Sequence, residues 1–536
     1  MWVKRSGIVF CIISFMFVLL GLRLFYVTYG EPGYMAQAAM GSRQSTLTLY
    51  RTKGTIYDSS LQPLAGKNPC YYLVINPRNF DRSKIDIISE ITDTDKDSLV
   101  EKLNSQGVFC LRSSTQPEPI AGVYCYEGEY RYADQPVAQH ILGYLDSDLV
   151  KGVAGIEKEY DDELSYFSAE KSITYESDAV NGVIAGLGIT AKSSGSNSDN
   201  GIVLTLDKGL CEALEKSMNE HVSSGAAVVM DCVSGEILAM TSRPSYDEEH
   251  ISDYLNSENG ELINRAITNQ PIGSAFKIVV AACIIENNLE DFTYDCSGGI
   301  EIGGRVFACH DTSGHGHMNL NDAFANSCNS YFIAAGQLLG ADKMIEMAKR
   351  MGFDSSIQII RNISAPAGNL PEIYENYPAQ ATANISIGQG ELLASPLQVA
   401  RLTAIACNGG FLVTPSIYNG MYLNGEVTSQ PSYNFRTQAI SSDVAEKLRQ
   451  MCINTVENGT GKSAKPDVGG AGGKTASAQT GKTVDGIEIL DTYFTGFYPA
   501  DNPQYVITVF ANGGKSGSAT CAPVFKEICN FIAQNR

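Results

Sequence analysis

The chain has 536 residues, with 59 acidic side chains against 39 basic ones and a formal net charge of −20. That length exceeds one ordinary domain and predicts at least two. The acidic excess, without a basic block, argues against a nucleic-acid binder. Lys4 and Arg5 precede an uncharged stretch from Gly7 to Leu22, which is followed by Arg23 and the apolar residues 24–27. The stretch is near the lower limit for a bilayer span, so Arg23 is expected to snorkel towards the outer headgroups. Basic residues before the span predict a cytoplasmic N-terminus and an exported bulk. Ala36-Gln37-Ala38 resembles a leader-cleavage site but lies well past the apolar run, and a retained anchor is expected instead.

Residues 191–200, AKSSGSNSDN, read as an exposed linker. Beyond them GIVLTLD reads as a strand, and Asp207 as the N-cap of a helix carrying Leu210, Leu214 and Met218 on one face. GAAVVMDCVSGEILAMTS predicts two strands about a Val233-Ser234-Gly235-Glu236 turn. From Ser274 to Ile285 the run SAFKIVVAACII predicts a buried helix whose only charge is Lys277. A lone ammonium in such a helix is costly unless paired or neutral, and burial lowers its pKa. Ser274 lies one turn earlier on the same face, within reach of that amine. Taken by itself, the segment fits a nucleophile with its base as well as it fits an N-cap serine beside a snorkelling lysine.

Cys296 and Cys309 bracket SGGIEIGGRVFA. They either close a hairpin or stay free, since the 14 cysteines are scattered and do not outline a disulfide scaffold. His310, His315 and His317 follow Cys309 closely, but a Gly-rich loop accounts for them without a metal, and none is expected. Ser327-Cys328-Asn329 falls between LNDAFAN and YFIAAGQLL, which predicts a turn between two helices. Lys474-Thr475-Ala476 lies in GGAGGKTASAQTG, a stretch suited to close backbone approach. Residues 492–497 and 505–511 read as strands, and a terminal helix is expected from about Val524 to Ile532. Ser168-Ala169-Glu170-Lys171 repeats the serine–lysine spacing without an apolar helix. The G-K-[S/T] triplets at Lys462, Lys474 and Lys482 lack the earlier glycine of a phosphate loop.

Ser274-x-x-Lys277, Ser327-x-Asn329 and Lys474-Thr475, in that order, resemble the three elements that line one cleft in penicillin-binding proteins and serine β-lactamases. Further landmarks make the chain most similar to the class B penicillin-binding proteins, monofunctional peptidoglycan transpeptidases. These landmarks are Arg51-Thr52-Lys53-Gly54-Thr55-Ile56-Tyr57-Asp58, Gln139 to Tyr144, Gly155 to Tyr160, Val229 to Met240, Asn264-Arg265-Ala266, Ser386-Ile387-Gly388-Gln389-Gly390 and Thr492 to Phe497. The chain departs from the pattern at Ala476, where glycine is usual, and at Ile272, where proline is common. Cys328 fills the variable position of the second element.

The resemblance implies an α/β protein with residues 1–30 as stub and single anchor, 31–190 as a non-catalytic pedestal and 191–200 as linker. Residues 201–536 would form a β-lactamase-like transpeptidase domain, an antiparallel sheet flanked by helices. It implies that Ser274, deprotonated by Lys277, attacks a terminal D-Ala-D-Ala carbonyl, with the oxyanion held by the N–H groups of Ser274 and Ser477. Ser327 would pass the proton to the leaving amine, Asn329 would hold the substrate amide, and Lys474 with Thr475 would fix the terminal carboxylate. Cys328 and Ala476 would line the cleft. Stem peptides, β-lactams, the membrane and a separate glycan polymerase of the SEDS type are the implied partners, with no cofactor. A water acceptor would make the same site a carboxypeptidase or β-lactamase, and a weak site would leave a β-lactam receptor or wall scaffold.

Overall fold

The computed structural model describes residues 2–30, 44–105, 107–176, 190–429, 436–484 and 487–535, so Ala36-Gln37-Ala38 lies outside the described residues. The chain divides into two compact units, each drawn from several stretches of sequence.

The first unit comprises Met1–Thr52, Lys67–Tyr130 and Ser168–Ser196. Its N-terminal helix, Trp2–Phe25, belongs to an apolar span, Ser6–Tyr29, long enough to cross a membrane. The strand Asn68–Ile75 is paired on both edges, with Phe109–Ser113 and with Val123–Tyr130. Side chains alternate across it. Leu73 and Ile75 pack with Ile88, Leu99 and Leu103 from two short helices, while Cys70, Tyr72 and Val74 pack with Leu49 and Ile173 from a second sheet. That second sheet joins Gln44–Thr52, Ala169–Glu176 and Thr190–Gly195. Residues 191–195, read above as linker, are therefore strand. All six residues of Thr190–Gly195 are exposed, so this edge strand pairs through its backbone alone and its composition carries no strand signal.

The second unit comprises Lys53–Gly66, Arg131–Phe167 and Asn197–Arg536. Gly201–Leu204 runs parallel to Thr55–Tyr57, which pairs with Pro63–Ala65, and its other edge takes Tyr418–Leu423. Ile56, Ile156 and Leu164 contribute buried side chains to the same core as Ile202 and Leu204. Arg131 reinforces this corner with a fully buried ion pair to Glu157 at 2.6 Å and a hydrogen bond to Gly54 O at 2.7 Å. Residues expected in the pedestal thus fold with the C-terminal unit.

The centre of this unit is a five-stranded sheet in the order Ile237–Arg243, Gly225–Asp231, Tyr505–Asn512, Ile487–Tyr498 and Gly472–Val484. Every pair is antiparallel, as expected of the fold. Phe494, Ile507 and Val509 face the helices Lys208–His221 and Ala522–Asn535. Tyr493, Val506 and Phe510 face the opposite layer, built from Lys277–Glu286, Pro396–Cys407 and Ser442–Glu457. The sheet is buried on both faces. Asp207 caps Lys208–His221 by accepting from Leu210 N, as its sequence position predicts.

A fragment beginning at Gly201 lacks Ile56, Leu64, Ile156 and Leu164, all buried. Each such side chain stabilises by roughly 1.5–3 kcal/mol. The fragment 201–536 is therefore expected to melt at least about 5 °C below a chain that keeps residues 53–66 and 131–167. Circular dichroism melts of the two check this, and equal melting temperatures would refute it.

Candidate active site

Ser274 sits in a 3-10 turn, Gly273–Phe276, that passes directly into the α-helix Lys277–Glu286. The helix expected to open at the serine thus begins in tighter geometry. Gly273 has φ +51, and a Cβ there would lie 2.7 Å from Ser477 O. A Cβ on Gly388, φ +73, would lie 1.8 Å from Gly273 O. The Ser274 turn is wedged between the edge strand and the Ser386-Ile387-Gly388 segment, at distances only glycine permits. Ser274 stays half-buried, open enough to meet a ligand.

Lys277 is fully buried, in a helix that is otherwise apolar. Its Nζ donates to Ser327 O at 2.8 Å, Asn329 Oδ1 at 2.8 Å and Ser327 Oγ at 3.3 Å. The aromatic face of Phe332 lies 5.2 Å from the same nitrogen. Burial pulls its pKa down to about 8, against the pull of Cys309 and Cys328. Loss of one proton leaves two N–H donors for the two 2.8 Å contacts and frees a lone pair. The first and second motifs are brought together by this one amine.

The second motif is a turn between the helices Leu320–Ala325 and Asn329–Leu339, as the sequence predicts. Ser327 adopts φ +53, an uncommon conformation for a residue with a side chain, held by the helices on either side. Cys328 occupies the N-cap position of the second helix. Its sulfur converges with those of Cys296 and Cys309 and with the His315 ring, all four ligand atoms lying within 4.8 Å of one another. The resemblance places Cys328 in the cleft lining, whereas its side chain is fully buried and its sulfur meets those of Cys296 and Cys309. The signal that joins them is a cysteine at the variable position of a motif that follows the other three.

The third motif lies on the edge strand Gly472–Val484, beside the Gly273–Phe276 turn. Side chains alternate along it. Lys474 and Ala476 point inward, both buried, while Ser477 is exposed. Lys474 Nζ donates to Thr475 O at 2.9 Å and lies 5.6 Å from the Phe324 ring. Burial first, then the nearby Lys277 charge, hold its pKa well below the ordinary lysine range. Lys474 therefore sits beneath the strand and shapes the field there, while Thr475 Oγ1 is 2.6 Å from Thr460 Oγ1. Ala476 is buried in the core that also contains Ala275 and Cys328, opposite Tyr493 on the neighbouring strand. Among the described cysteines none is bonded to another, so Cys296 and Cys309 do not close a disulfide. A concavity of about 960 Å³, lined by Gln139, Glu215 and Arg243, opens elsewhere in this unit and contains none of these motif residues.

Two substitutions read the packing. Gly273→Ala must displace Ser477 O, and it is expected to slow acylation of Ser274 by more than about tenfold, roughly 1.4 kcal/mol in the barrier. Ala476→Gly opens space without moving the strand and is expected to change that rate by less than about tenfold. Stopped-flow acylation of both variants tests the pair, and the reverse ranking would refute the assignment.

Residues 225–530 match the family described as the penicillin binding protein transpeptidase domain. Stage V sporulation protein D of Bacillus subtilis is 26% identical over 560 residues, covering 96% of this chain and 82% of that protein. The peptidoglycan D,D-transpeptidase MrdA of Haemophilus influenzae is 27% identical over 583 residues, covering 92% of this chain and 86% of that protein. The solved D,D-transpeptidase domain of a peptidoglycan glycosyltransferase from Eggerthella lenta shares the fold at a TM-score of 0.64 and 22% identity, covering 90% of this chain and 99% of that one. With more than half its length matched and the sheet, the turn and the three motifs in place, the chain belongs to the penicillin-binding protein transpeptidase family.

Proposed function

We propose that this chain is a peptidoglycan D,D-transpeptidase that works through an acyl-enzyme on Ser274 and is inhibited by β-lactams at the same residue. The observation that carries this reading is the convergence of a buried, pKa-lowered Lys277 with Ser327 and Asn329, one turn from Ser274. In the first step neutral Lys277 takes the Ser274 proton as Oγ attacks the penultimate D-Ala carbonyl of a stem peptide. The N–H groups of Ser274 and Ser477 face the developing oxyanion. Collapse of the tetrahedral intermediate breaks the amide bond, and the proton reaches the leaving D-alanine amine by way of Ser327. In the second step an amine of another stem peptide attacks the ester, forming the cross-link and returning the proton to Ser274.

Asn329 is assigned to the substrate amide and Thr475 to the terminal carboxylate, whose negative charge would favour the protonated form of Lys474 beneath the strand. Cys328 and Ala476, expected to line the cleft, instead pack into the core behind it. The apolar span Ser6–Tyr29 fits a single membrane anchor with the bulk of the chain outside the cytoplasm. The first unit, Met1–Thr52, Lys67–Tyr130 and Ser168–Ser196, would serve as the non-catalytic pedestal, and the chain would work beside a separate glycan polymerase of the SEDS type.

Fluorescent penicillin tests the assignment on the full chain in detergent. The wild type is expected to take up about one label per chain, and Ser274→Ala none. Undiminished labelling of Ser274→Ala would overturn the nucleophile. Because the unprotonated amine is the reactive form, the acylation rate is expected to rise with pH up to a plateau above about pH 8 and to fall about tenfold per unit below it. A flat profile from pH 6 to 9, measured with a β-lactam that does not titrate there, would remove Lys277 as the base.

A further inference from the structure

We propose that Cys296, Cys309, His315 and Cys328 bind a structural zinc ion that fixes the turn carrying Ser327 and Asn329. The ligand atoms come from four separate places in the chain. Cys296 ends the strand Tyr294–Cys296, and Cys309 follows the hairpin formed by Gly299–Ile302 and Arg305–Ala308. His315 precedes Gly316–Met318, the strand that pairs back onto Cys296, and Cys328 caps the helix Asn329–Leu339.

Geometry separates this cluster from chance thiol packing. His315 Nδ1 lies 3.6 Å from Cys296 Sγ and 3.5 Å from Cys309 Sγ. A tetrahedral zinc with ordinary Zn–S and Zn–N bonds sets that edge at about 3.6 Å. Hydrogen bonding does not explain the arrangement, because one imidazole nitrogen has a single in-plane lone pair or proton to share between two sulfurs. All four ligand atoms lie within 4.8 Å of one another, and the three sulfurs are buried. Three thiolates and one imidazole form a closed donor set that suits zinc.

The surroundings supply what thiolate ligands need. Asn329 N donates to Cys309 Sγ at 3.3 Å, and the buried Ser330 hydroxyl lies beside Cys296. Two tight glycine turns close the loops around the sulfurs. A Cβ on Gly298 would lie 2.1 Å from Thr312 O, and one on Gly314 would lie 2.4 Å from Cys296 O. The run from Cys309 to His317 does not by itself announce the site, because His310 and His317 are exposed and take no part and two of the ligands lie outside it.

The consequence for the site follows from Cys328. It is the middle residue of the turn, and Lys277 Nζ is bonded to the residues on both sides of it. An ion holding Cys328 to the hairpin therefore anchors the partners of the base. The ion is structural, with no open position for water or substrate.

Elemental analysis of the full chain, purified without chelator, is expected to find about one zinc per chain. Cys309→Ser and His315→Ala are expected to hold less than a fifth of that, Cys125→Ser to hold all of it, and His315→Cys, which keeps four ligands, to retain it. Replacement with cobalt(II) is expected to give the intense visible bands of a tetrahedral thiolate site, a readout on folded wild type that requires no substitution. Stripping the metal is expected to lower the melting temperature by more than about 5 °C and to slow penicillin acylation at least tenfold, both reversed by added zinc. A chain free of metal that melts and acylates normally would overturn the proposal, as would an octahedral cobalt spectrum, iron in place of zinc, or a Cys296–Cys309 disulfide found by mass spectrometry. Metal content and the cobalt spectrum do not depend on acylation, so they stand or fall separately from the proposed transpeptidase activity.

Discussion

A fully buried ammonium in an apolar helix is the constraint on which the rest of the site depends. Lys277 is inserted among Ile278, Val279, Val280 and Ala281, where an unpaired charge is costly. Its donors must find oxygen, and the oxygens come from Ser327 and Asn329, some fifty residues later in the chain. The turn that provides them is itself under strain, with Ser327 in the left-handed region. Flanking helices hold that turn by burying Phe324 on one side and Phe332 on the other. The two rings stand 6.4 Å apart, with Lys277 near one and Lys474 near the other. Burial lowers the Lys277 pKa and, with the Lys277 charge, that of Lys474, so the same burial that makes Lys277 costly also prepares it to give up a proton.

The third motif reaches the site by a different route. Gly472–Val484 is the edge of a sheet whose order places the last three strands of the chain beside Gly225–Asp231. An edge strand has one side free, and that side meets the Ser274 turn. The meeting is a backbone approach made possible at Gly273, with Gly388 bracing the turn from behind. Ala476 does not disturb this, because its methyl points away from Ser477 and into the core shared with Ala275 and Cys328. A family departure that affects the strand in sequence is thus absorbed by packing on its other face.

The sequence alone determined a good deal. The apolar span, the capped helix at Asp207, the hairpin about Val233-Ser234-Gly235-Glu236 and the turn at Ser327 are local features, set by residues near one another in the chain. The three motifs were legible for the same reason, each being a short string with its own chemistry. What the tertiary structure decided lies in the relations between distant strings. Residues 53–66 and 131–167 join the C-terminal unit because Thr55–Tyr57 completes a sheet with Gly201–Leu204, a pairing no local pattern announces. Thr190–Gly195 becomes a strand through backbone pairing that its polar composition conceals. Lys474 turns beneath its strand because alternation assigns it the buried face. Cys296, Cys309, His315 and Cys328 were each visible as letters, but their meeting depends on how a hairpin, a glycine loop and a helix N-terminus fold together. Periodicity and capping act over a few residues, whereas side chains from separate elements meet only where the packed core brings them.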